Sequence, residues 1–148
     1  MEHETQGGFL ISQIKQVGGR IFEKLLANAG VDAFNGAQGR ILYVLWQEDS
    51  IPIFELSRKT GLAKTTLTSM LDRMESANLI TRVFDKSDRR LIRIVLTDDA
   101  RALSDAYKKV SCEMNGLYYS GFSAEEIVEF EGYLQRILSN LSEKEHTT

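Results

Sequence analysis

The chain has 148 residues, 43% of them hydrophobic and 26% charged, with a formal net charge of -3. This length and composition predict a single compact domain, or one domain with dimerisation arms, and a chain that is not disordered. The start, MEHETQGG, lacks the basic and apolar segments of a secretory signal, and the longest apolar run, ILYVLW, is too short to cross a bilayer. We therefore expect a cytoplasmic protein without a membrane partner.

The net charge hides an uneven distribution of basic and acidic residues. Residues 53–97 hold nine of the 18 Lys and Arg residues but five of the 21 Asp and Glu residues, so this block carries +4. The rest of the chain carries -7. A basic block within an acidic chain is typical of a protein with one face that binds phosphate groups.

The first predicted element is a helix from Phe9 to about Asn28, because apolar residues recur there at spacings of four and three. These residues are Leu10, Ile14, Val17, Ile21 and Leu25. A second helical pattern follows in AQGRILYVLWQED, and its apolar residues are Ile41, Leu42, Leu45 and Trp46. The only proline, Pro52, then interrupts the chain.

A short helix from about Ile53 to Thr60 comes next, and Gly61 is suited to end it in the left-handed conformation. In the following segment, GLAKTTLTSMLDRMESANLI, residues at i, i+3, i+4 and i+7 predict a buried stripe of Leu67, Met70, Leu71 and Met74. The start of the other face holds Lys64, Thr65, Thr66, Thr68 and Ser69. Asn78 is expected to end this helix.

Two segments rich in β-branched residues, LITRVFD and LIRIVLT, predict a β-hairpin with a basic tip, KSDRR. Thr97 is a residue type suited to cap a long helix. Asp98 and Asp99 follow in the first turn, where the helix dipole favours acidic residues. A last helix is expected to start after Ser123. Both helices have heptad spacing of their apolar residues, which are Leu103, Tyr107, Val110, Met114 and Leu117, then Ile127, Phe130, Leu134, Ile137 and Leu141.

The order of short helix, glycine-containing turn, second helix and basic hairpin is typical of a winged helix-turn-helix. In such a domain, apolar residues hold the second helix while its N-terminal donors enter the major groove of DNA. The Thr and Ser hydroxyls can then contact bases or phosphates, Lys64 a phosphate, and Arg73 a base edge or the flanking backbone. A solvated helix face would carry similar residues, and the basic hairpin beside them favours DNA.

The residues that catalysis or metal binding would require do not occur in a suitable pattern. The chain has one cysteine, Cys112, and two histidines at opposite ends, His3 and His146. No metal-ligand spacing and no glycine-rich phosphate loop are present in the sequence. We therefore expect no metal, no cofactor and no enzymatic activity. Cys112 has two interpretations, a small buried apolar side chain or an oxidant sensor.

Two motifs, AKTTLTSMLDRMESANLITR and DKSDRRLIRIVLT, resemble those of the MarR family of bacterial transcriptional regulators. The resemblance extends from about Phe9 to Leu141. It implies a mainly α fold with a small β-hairpin wing: a single domain of residues 1–148, with a winged helix-turn-helix at about 36–97 and dimerisation helices at about 9–29 and 98–142. It also implies a homodimer, and we expect a repressor or regulator that binds a pseudo-palindromic operator in double-stranded DNA.

The resemblance further implies roles for individual residues. Arg90 would enter the minor groove and Asp88 would brace it, with the recognition helix at about 64–77 in the major groove. The DNA-facing residues would be Lys64, Thr65, Thr66, Thr68, Ser69, Arg73, Lys86, Arg89 and Arg90. A small aromatic or amphipathic effector would bind near Phe22, Tyr43 and Trp46 and release the DNA.

The sequence departs from the family in two places. Ala63 stands near the start of the recognition helix, where many members have Ser or Asp. The recognition helix is most similar to the organic-hydroperoxide-sensing branch, but the reactive cysteine of that branch is absent from the first helix. A second interpretation of the same fold is a protein-interaction scaffold, whose basic face binds an acidic partner without sequence-specific DNA binding.

Overall fold

The computed structural model describes residues 4–147, which form seven helices and three short strands. The helices are α1 (Gly7–Asn28), α2 (Gly36–Gln47), α3 (Ile53–Thr60), α4 (Lys64–Ser76), α5 (Asp98–Arg101), α6 (Ser104–Tyr118) and α7 (Ala124–Thr147). The strands are β1 (Ile51–Pro52), β2 (Ile80–Phe84) and β3 (Ile92–Leu96). The predicted mainly α fold with a small wing is confirmed. Within residues 4–147, no helix is both long and apolar enough to span a membrane.

The chain forms two compact units, and the boundary between them falls within α6. The first unit ends at Met114 and contains α2 to β3, while the second begins at Asn115 and contains α7. In the second unit, the rings of Tyr119, Phe122 and Phe130 pack with centroids 5.7–6.3 Å apart. The Tyr119 hydroxyl donates to Glu131 at 2.6 Å, and this bond raises the pKa of Tyr119 to about 12. These contacts tie the turn after α6 to the first half of α7.

The strand β3 is the centre of an antiparallel sheet with the order β1-β3-β2. Ile80 lies opposite Leu96 and Phe84 opposite Ile92, which confirms the predicted hairpin. The strand β1, in which Ile51 lies opposite Ile94, was not predicted. Its two residues are too few for an alternating pattern. Pro52 fits there because β1 is an edge strand, where a missing N–H need not break the hydrogen-bond ladder.

The helix α4 is held by the apolar stripe that the sequence predicts. Leu67, Leu71 and Met74 have no exposed surface, and Met70 is half-buried against the same core. Residues of α2, α3 and the sheet complete this core, namely Ile41, Leu42, Leu45, Leu56, Ile80 and Ile94. Full burial of one such side chain stabilises the fold by about 1.5–3 kcal/mol. The stripe therefore fixes the rotation of α4 about its axis, and with it the residues that face solvent.

The ends of α3 and α4 match their sequence signals. Gly61 (φ +75°) and Asn78 (φ +61°) both adopt the left-handed conformation that stops a helix. Ala63 occupies the N-cap of α4 and makes no side-chain bond to it. The turn is instead closed from α3, because the Ser57 hydroxyl donates to the carbonyl of Leu62 at 2.6 Å.

The sequence predicted one long helix after Thr97, but the structure has two helices there, α5 and α6. The prediction of a single continuous helix is therefore wrong. Thr97 caps α5 as expected, since its hydroxyl accepts from the N–H of Ala100 at 3.1 Å. The carbonyl of Ala100, the acceptor that would continue the α-helix, accepts from the N–H of Leu103 at 3.1 Å and from the indole of Trp46 at 3.0 Å. This tightened turn separates α5 from α6, and its cause is a contact 54 residues away in the chain.

The predicted apolar stripes of the terminal helices differ in burial. Tyr107, Val110 and Met114 of α6 are buried. The stripe of α1 is 36–48% exposed at Leu10, Ile14, Val17 and Ile21. The stripe of α7 is 37–64% exposed at Phe130, Leu134, Ile137 and Leu141. Apolar faces of this extent are typical of surfaces that another protein surface covers.

Gly39 lies against the ring of Tyr107, and we expect Gly39→Ala to destabilise the protein. An added Cβ would stand 2.6 Å from a ring carbon of Tyr107 and 3.1 Å from a ring carbon of Phe34. Overpacking of this kind costs about 1–3 kcal/mol, and the better helix propensity of Ala offsets roughly 1 kcal/mol. Urea unfolding should therefore show a net loss of up to about 2 kcal/mol.

The matched control for this substitution is Gly132→Ala in α7. An added Cβ there meets nothing within 4 Å. We expect Gly132→Ala to leave the unfolding midpoint unchanged or to raise it slightly, because Ala favours the helix. Equal effects of the two substitutions would contradict the close contact of Gly39 with Tyr107.

Candidate nucleic-acid interface

The N-terminal half of α4 presents a row of polar side chains to solvent. Lys64, Thr65, Thr66 and Ser69 are exposed, and none of them has a side-chain hydrogen bond to another of residues 4–147. Thr68 differs from the others. It is half-buried, and its hydroxyl donates to the carbonyl of Lys64 at 2.8 Å. Its proton is thus used within the helix, and Thr68 is left with acceptor capacity and a methyl group.

The structure divides the nine cations of residues 53–97 into two groups. Five of them form ion pairs with carboxylates, namely Arg58, Lys59, Arg82, Arg90 and Arg93. The other four have no ion-pair partner within the described range of 4–147 and are exposed, namely Lys64, Arg73, Lys86 and Arg89. All four lie on α4 or on the wing, the hairpin formed by residues 80–96. They form the part of the basic block that remains available to an anionic partner.

Arg82 connects the wing to α4, a role that the sequence analysis missed. Its guanidinium donates to Asp72 at 2.8 Å, to Glu75 at 2.9 Å and to the carbonyl of Thr68 at 3.4 Å. These three acceptors lie one and two turns apart on α4, so one side chain of β2 spans much of the helix. Arg82 therefore holds the wing against α4. The sequence shows Asp72 and Glu75 one turn apart and predicts the strand that holds Arg82, but it does not show that this strand faces α4.

Asp88 and Arg90 form a bidentate ion pair at the tip of the wing. The Nε of Arg90 donates to one carboxylate oxygen of Asp88 at 3.0 Å, and an Nη donates to the other at 3.1 Å. The Arg90 side chain is 89% exposed, whereas that of Asp88 is 33% exposed. The bond to Arg90 lowers the pKa of Asp88, which therefore stays ionised. Asp88 thus orients Arg90, and the free edge of the guanidinium faces solvent.

Asp85 organises the loop that carries this pair and is a second residue that the sequence analysis missed. One carboxylate oxygen accepts from the N–H groups of Ser87 and Asp88, both at 2.9 Å. The other accepts from the Nε of Arg93 at 2.6 Å, and this bond is the main cause of the lowered pKa of Asp85. Arg93 also donates to the carbonyl of Ser50 at 2.7 Å, so the wing loop is anchored to the loop before β1.

The three aromatic residues predicted to form an effector pocket converge on Tyr107. The ring centroids of Phe22, Tyr43 and Trp46 lie 5.8, 6.0 and 5.3 Å from that of Tyr107. Phe34 packs against Trp46 and Tyr107 as well. Burial raises the pKa of Tyr107, so its hydroxyl is neutral. The cluster is a packed one, and a role in effector binding remains a prediction.

Comparison with known proteins shows which family the chain is similar to. The model of the MarR family matches residues 34–92, from the loop before α2 into β3. Over 101 residues, 68% of each protein, the chain is 34% identical to the uncharacterized HTH-type transcriptional regulator YsmB of Bacillus subtilis (strain 168). The chain belongs to the MarR family. The family of the predicted resemblance is thereby confirmed, and this MarR-family chain is a transcriptional regulator.

A further relative is similar in sequence, and a solved structure is similar in fold. The chain is 31% identical over 103 residues to the organic hydroperoxide resistance transcriptional regulator of Bacillus subtilis (strain 168). The aligned stretch covers 70% of this chain and 69% of that regulator. The fold of this chain is similar to that of a mutant of MarR from E. coli complexed with operator DNA. That superposition has a TM-score of 0.79 and 24% identity, and it covers 88% of this chain and 92% of the other.

Cys112 of this MarR-family regulator lies in α6 and is exposed. The interpretation of Cys112 as a small buried side chain is therefore wrong for the single chain. It follows the buried Val110 by two positions, and the helix period turns it away from the core. Among residues 4–147, no group of three or more His, Cys, Asp or Glu side chains is placed to hold a metal ion, and His3 lies outside the described residues.

Proposed function

We propose that this MarR-family protein is a repressor that binds a pseudo-palindromic operator in double-stranded DNA as a homodimer and is released by a small-molecule effector. The observation that carries the proposal is the position of the four cations without an ion-pair partner among residues 4–147. They lie on α4 and on the wing, beside the exposed hydroxyls of α4 and the braced Arg90. The four cations are spread over two separate elements, α4 and the wing. This distribution fits the extended row of phosphates on a duplex better than it fits a single small anion.

In this proposal, α4 and the wing contact different grooves of the DNA. The start of α4 enters the major groove, where Thr65, Thr66 and Ser69 donate to bases or phosphates and Lys64 pairs with a phosphate. Thr68 contributes its methyl group and an acceptor, since its proton is used within the helix. Arg90 enters the minor groove, and Lys86 and Arg89 neutralise flanking phosphates. Arg73 reaches the backbone or a base edge farther along α4.

The exposed apolar stripes of α1 and α7 support a homodimer. Each stripe repeats at helical spacing and has side chains that are more than a third exposed in the single chain. Stripes of this kind pack against helices in dimers. Two copies related by a two-fold axis would present two α4 helices to half-sites about one helical turn, or roughly 10 bp, apart. An effector would release the DNA by favouring a dimer in which that spacing is wrong.

The aromatic cluster is the proposed site of the effector, and Trp46 offers a direct measurement. Trp46 is the only tryptophan, and its indole donates to the carbonyl of Ala100 beside Phe34 and Tyr107. We expect a small aromatic or amphipathic anion that binds there to change the Trp46 fluorescence saturably and to weaken DNA binding. If a broad library of phenolic acids changes neither signal, the site is elsewhere.

The proposal as a whole is tested by selection from a random pool of double-stranded DNA with the purified protein at moderate salt. An enriched inverted repeat with a spacing of one helical turn is the expected result. Size determination of the complex should then give two chains per duplex. Retention of DNA without any enriched motif would contradict sequence-specific regulation. It would favour the alternative of a winged-helix scaffold whose basic face binds an acidic protein.

A further inference from the structure

Phe84 is an exposed aromatic residue at the base of the wing loop. It is the last residue of β2, and 66% of its surface is exposed. A single exposed apolar residue is ordinary on a protein surface. Phe84 differs because it lines a shallow depression together with Asp85, Lys86 and Arg89. The depression therefore combines an apolar wall with charged side chains of the candidate interface.

The charges around Phe84 are those of a cationic site. The Asp85 carboxylate is occupied by Arg93 and by two backbone N–H groups of the loop, so its charge is already compensated. Lys86 and Arg89 are exposed and have no carboxylate partner within residues 4–147. A partner that fills the depression must then offer an apolar surface flanked by anions. The sugar–phosphate backbone has this alternation, because each deoxyribose lies between two phosphates.

We propose that Phe84 is an apolar DNA contact of the wing, with its ring packed against a deoxyribose whose flanking phosphates pair with Lys86 and Arg89. The inference rests on the proposed function and adds a contact to it. DNA is favoured over another occupant because the depression adjoins the proposed DNA-binding surface: Arg90, the proposed minor-groove residue, lies in the same loop between β2 and β3 as Lys86 and Arg89. The contact is independent of base sequence, so it contributes equally to operator and non-operator duplexes.

The test compares Phe84→Ser and Phe84→Leu with the wild type, using the selected operator and a scrambled duplex over a range of salt concentrations. Phe84→Ser is expected to raise the Kd of both complexes roughly tenfold, because the variant loses the favourable free energy of partly burying the ring against the DNA. The salt slope should not change, since Phe84 releases no counterions. Phe84→Leu should retain most of the affinity. Lys86→Ala and Arg89→Ala should each reduce the slope by about 0.9.

Val83→Ser is the matched control, because Val83 is also exposed but points to the opposite face of β2. It should leave the DNA affinity unchanged. Equal losses in Val83→Ser and Phe84→Ser would overturn the contact, as would wild-type affinity in Phe84→Ser. A change of oligomeric state in Phe84→Ser with intact DNA affinity would overturn it too, and would assign the depression to a second copy of the chain. Absence of DNA binding by the wild type would instead remove the proposed function itself.

Discussion

Replacement of Arg90 by alanine is expected to weaken operator binding by about 10- to 100-fold and to flatten its dependence on salt. The guanidinium is 89% exposed and is oriented by two bonds to Asp88, so it is free to contact DNA without rearrangement. Loss of its charge should lower the salt slope by about 0.9 for each phosphate contact it makes. Fluorescence anisotropy with a labelled operator at several salt concentrations gives both quantities.

Two variants show whether the effect belongs to the oriented Arg90 and not to net charge. Lys108→Ala removes one exposed positive charge from α6, outside α4 and the wing, and should change neither affinity nor slope. Asp88→Asn removes a negative charge close to the proposed DNA surface, which by simple electrostatics would strengthen binding. We expect it to weaken binding, because Arg90 loses its brace. Tighter binding by Asp88→Asn, or an unchanged slope in Arg90→Ala, would refute the proposed wing contact.

Replacement of Leu134 by glutamate is expected to dissociate the proposed homodimer and to reduce operator affinity by about 10²- to 10⁴-fold. Leu134 lies within the apolar stripe of α7 and is 37% exposed in the single chain. A buried unpaired carboxylate at a helix–helix contact is unfavourable, so the dimer should separate. A monomer has one α4 for one half-site and loses the gain from linked binding, which commonly amounts to about 10²- to 10⁴-fold. Analytical ultracentrifugation and anisotropy measure the two effects.

Val128→Glu provides the control for Leu134→Glu within the same helix. Val128 is 73% exposed and lies off the stripe formed by Phe130, Leu134, Ile137 and Leu141. The same glutamate should leave both the dimer and the DNA affinity intact there. Ile14→Glu, in the exposed stripe of α1, should act like Leu134→Glu. A Leu134→Glu protein that remains dimeric would show that α7 makes no essential dimer contact.

The elements of the winged helix-turn-helix were predictable because their signals are local. Gly61 and Asn78 mark helix ends through their own backbone conformations, and both have positive φ in the structure. The stripe from Leu67 to Met74 required only the helix period, and its members are buried or half-buried. The hairpin followed from β-branched residues on either side of a charged tip. Residue type and spacing suffice for each of these features, because each depends on neighbours within a few positions.

Three of the features that the sequence did not predict depend on contacts between distant segments. The strand β1 exists because Ile51 lies opposite Ile94, which no pattern in two residues can reveal. The division between α5 and α6 follows from the bond of the Trp46 indole to the carbonyl of Ala100. The aromatic cluster has Tyr107 as its centre, a residue that the sequence placed only in a helical stripe. In each case the partner lies more than 40 residues away.

The sequence by itself determined the family, the order of the elements and the basic character of residues 53–97. Only the tertiary structure decided which of those cations are available to DNA. Arg82 and Arg93 are held by carboxylates that β2, the wing loop and α4 bring beside them, whereas Lys64, Arg73, Lys86 and Arg89 have no such partner within residues 4–147. The physical reason is that ion pairing acts over a few ångströms in space, while the sequence orders charges only along the chain.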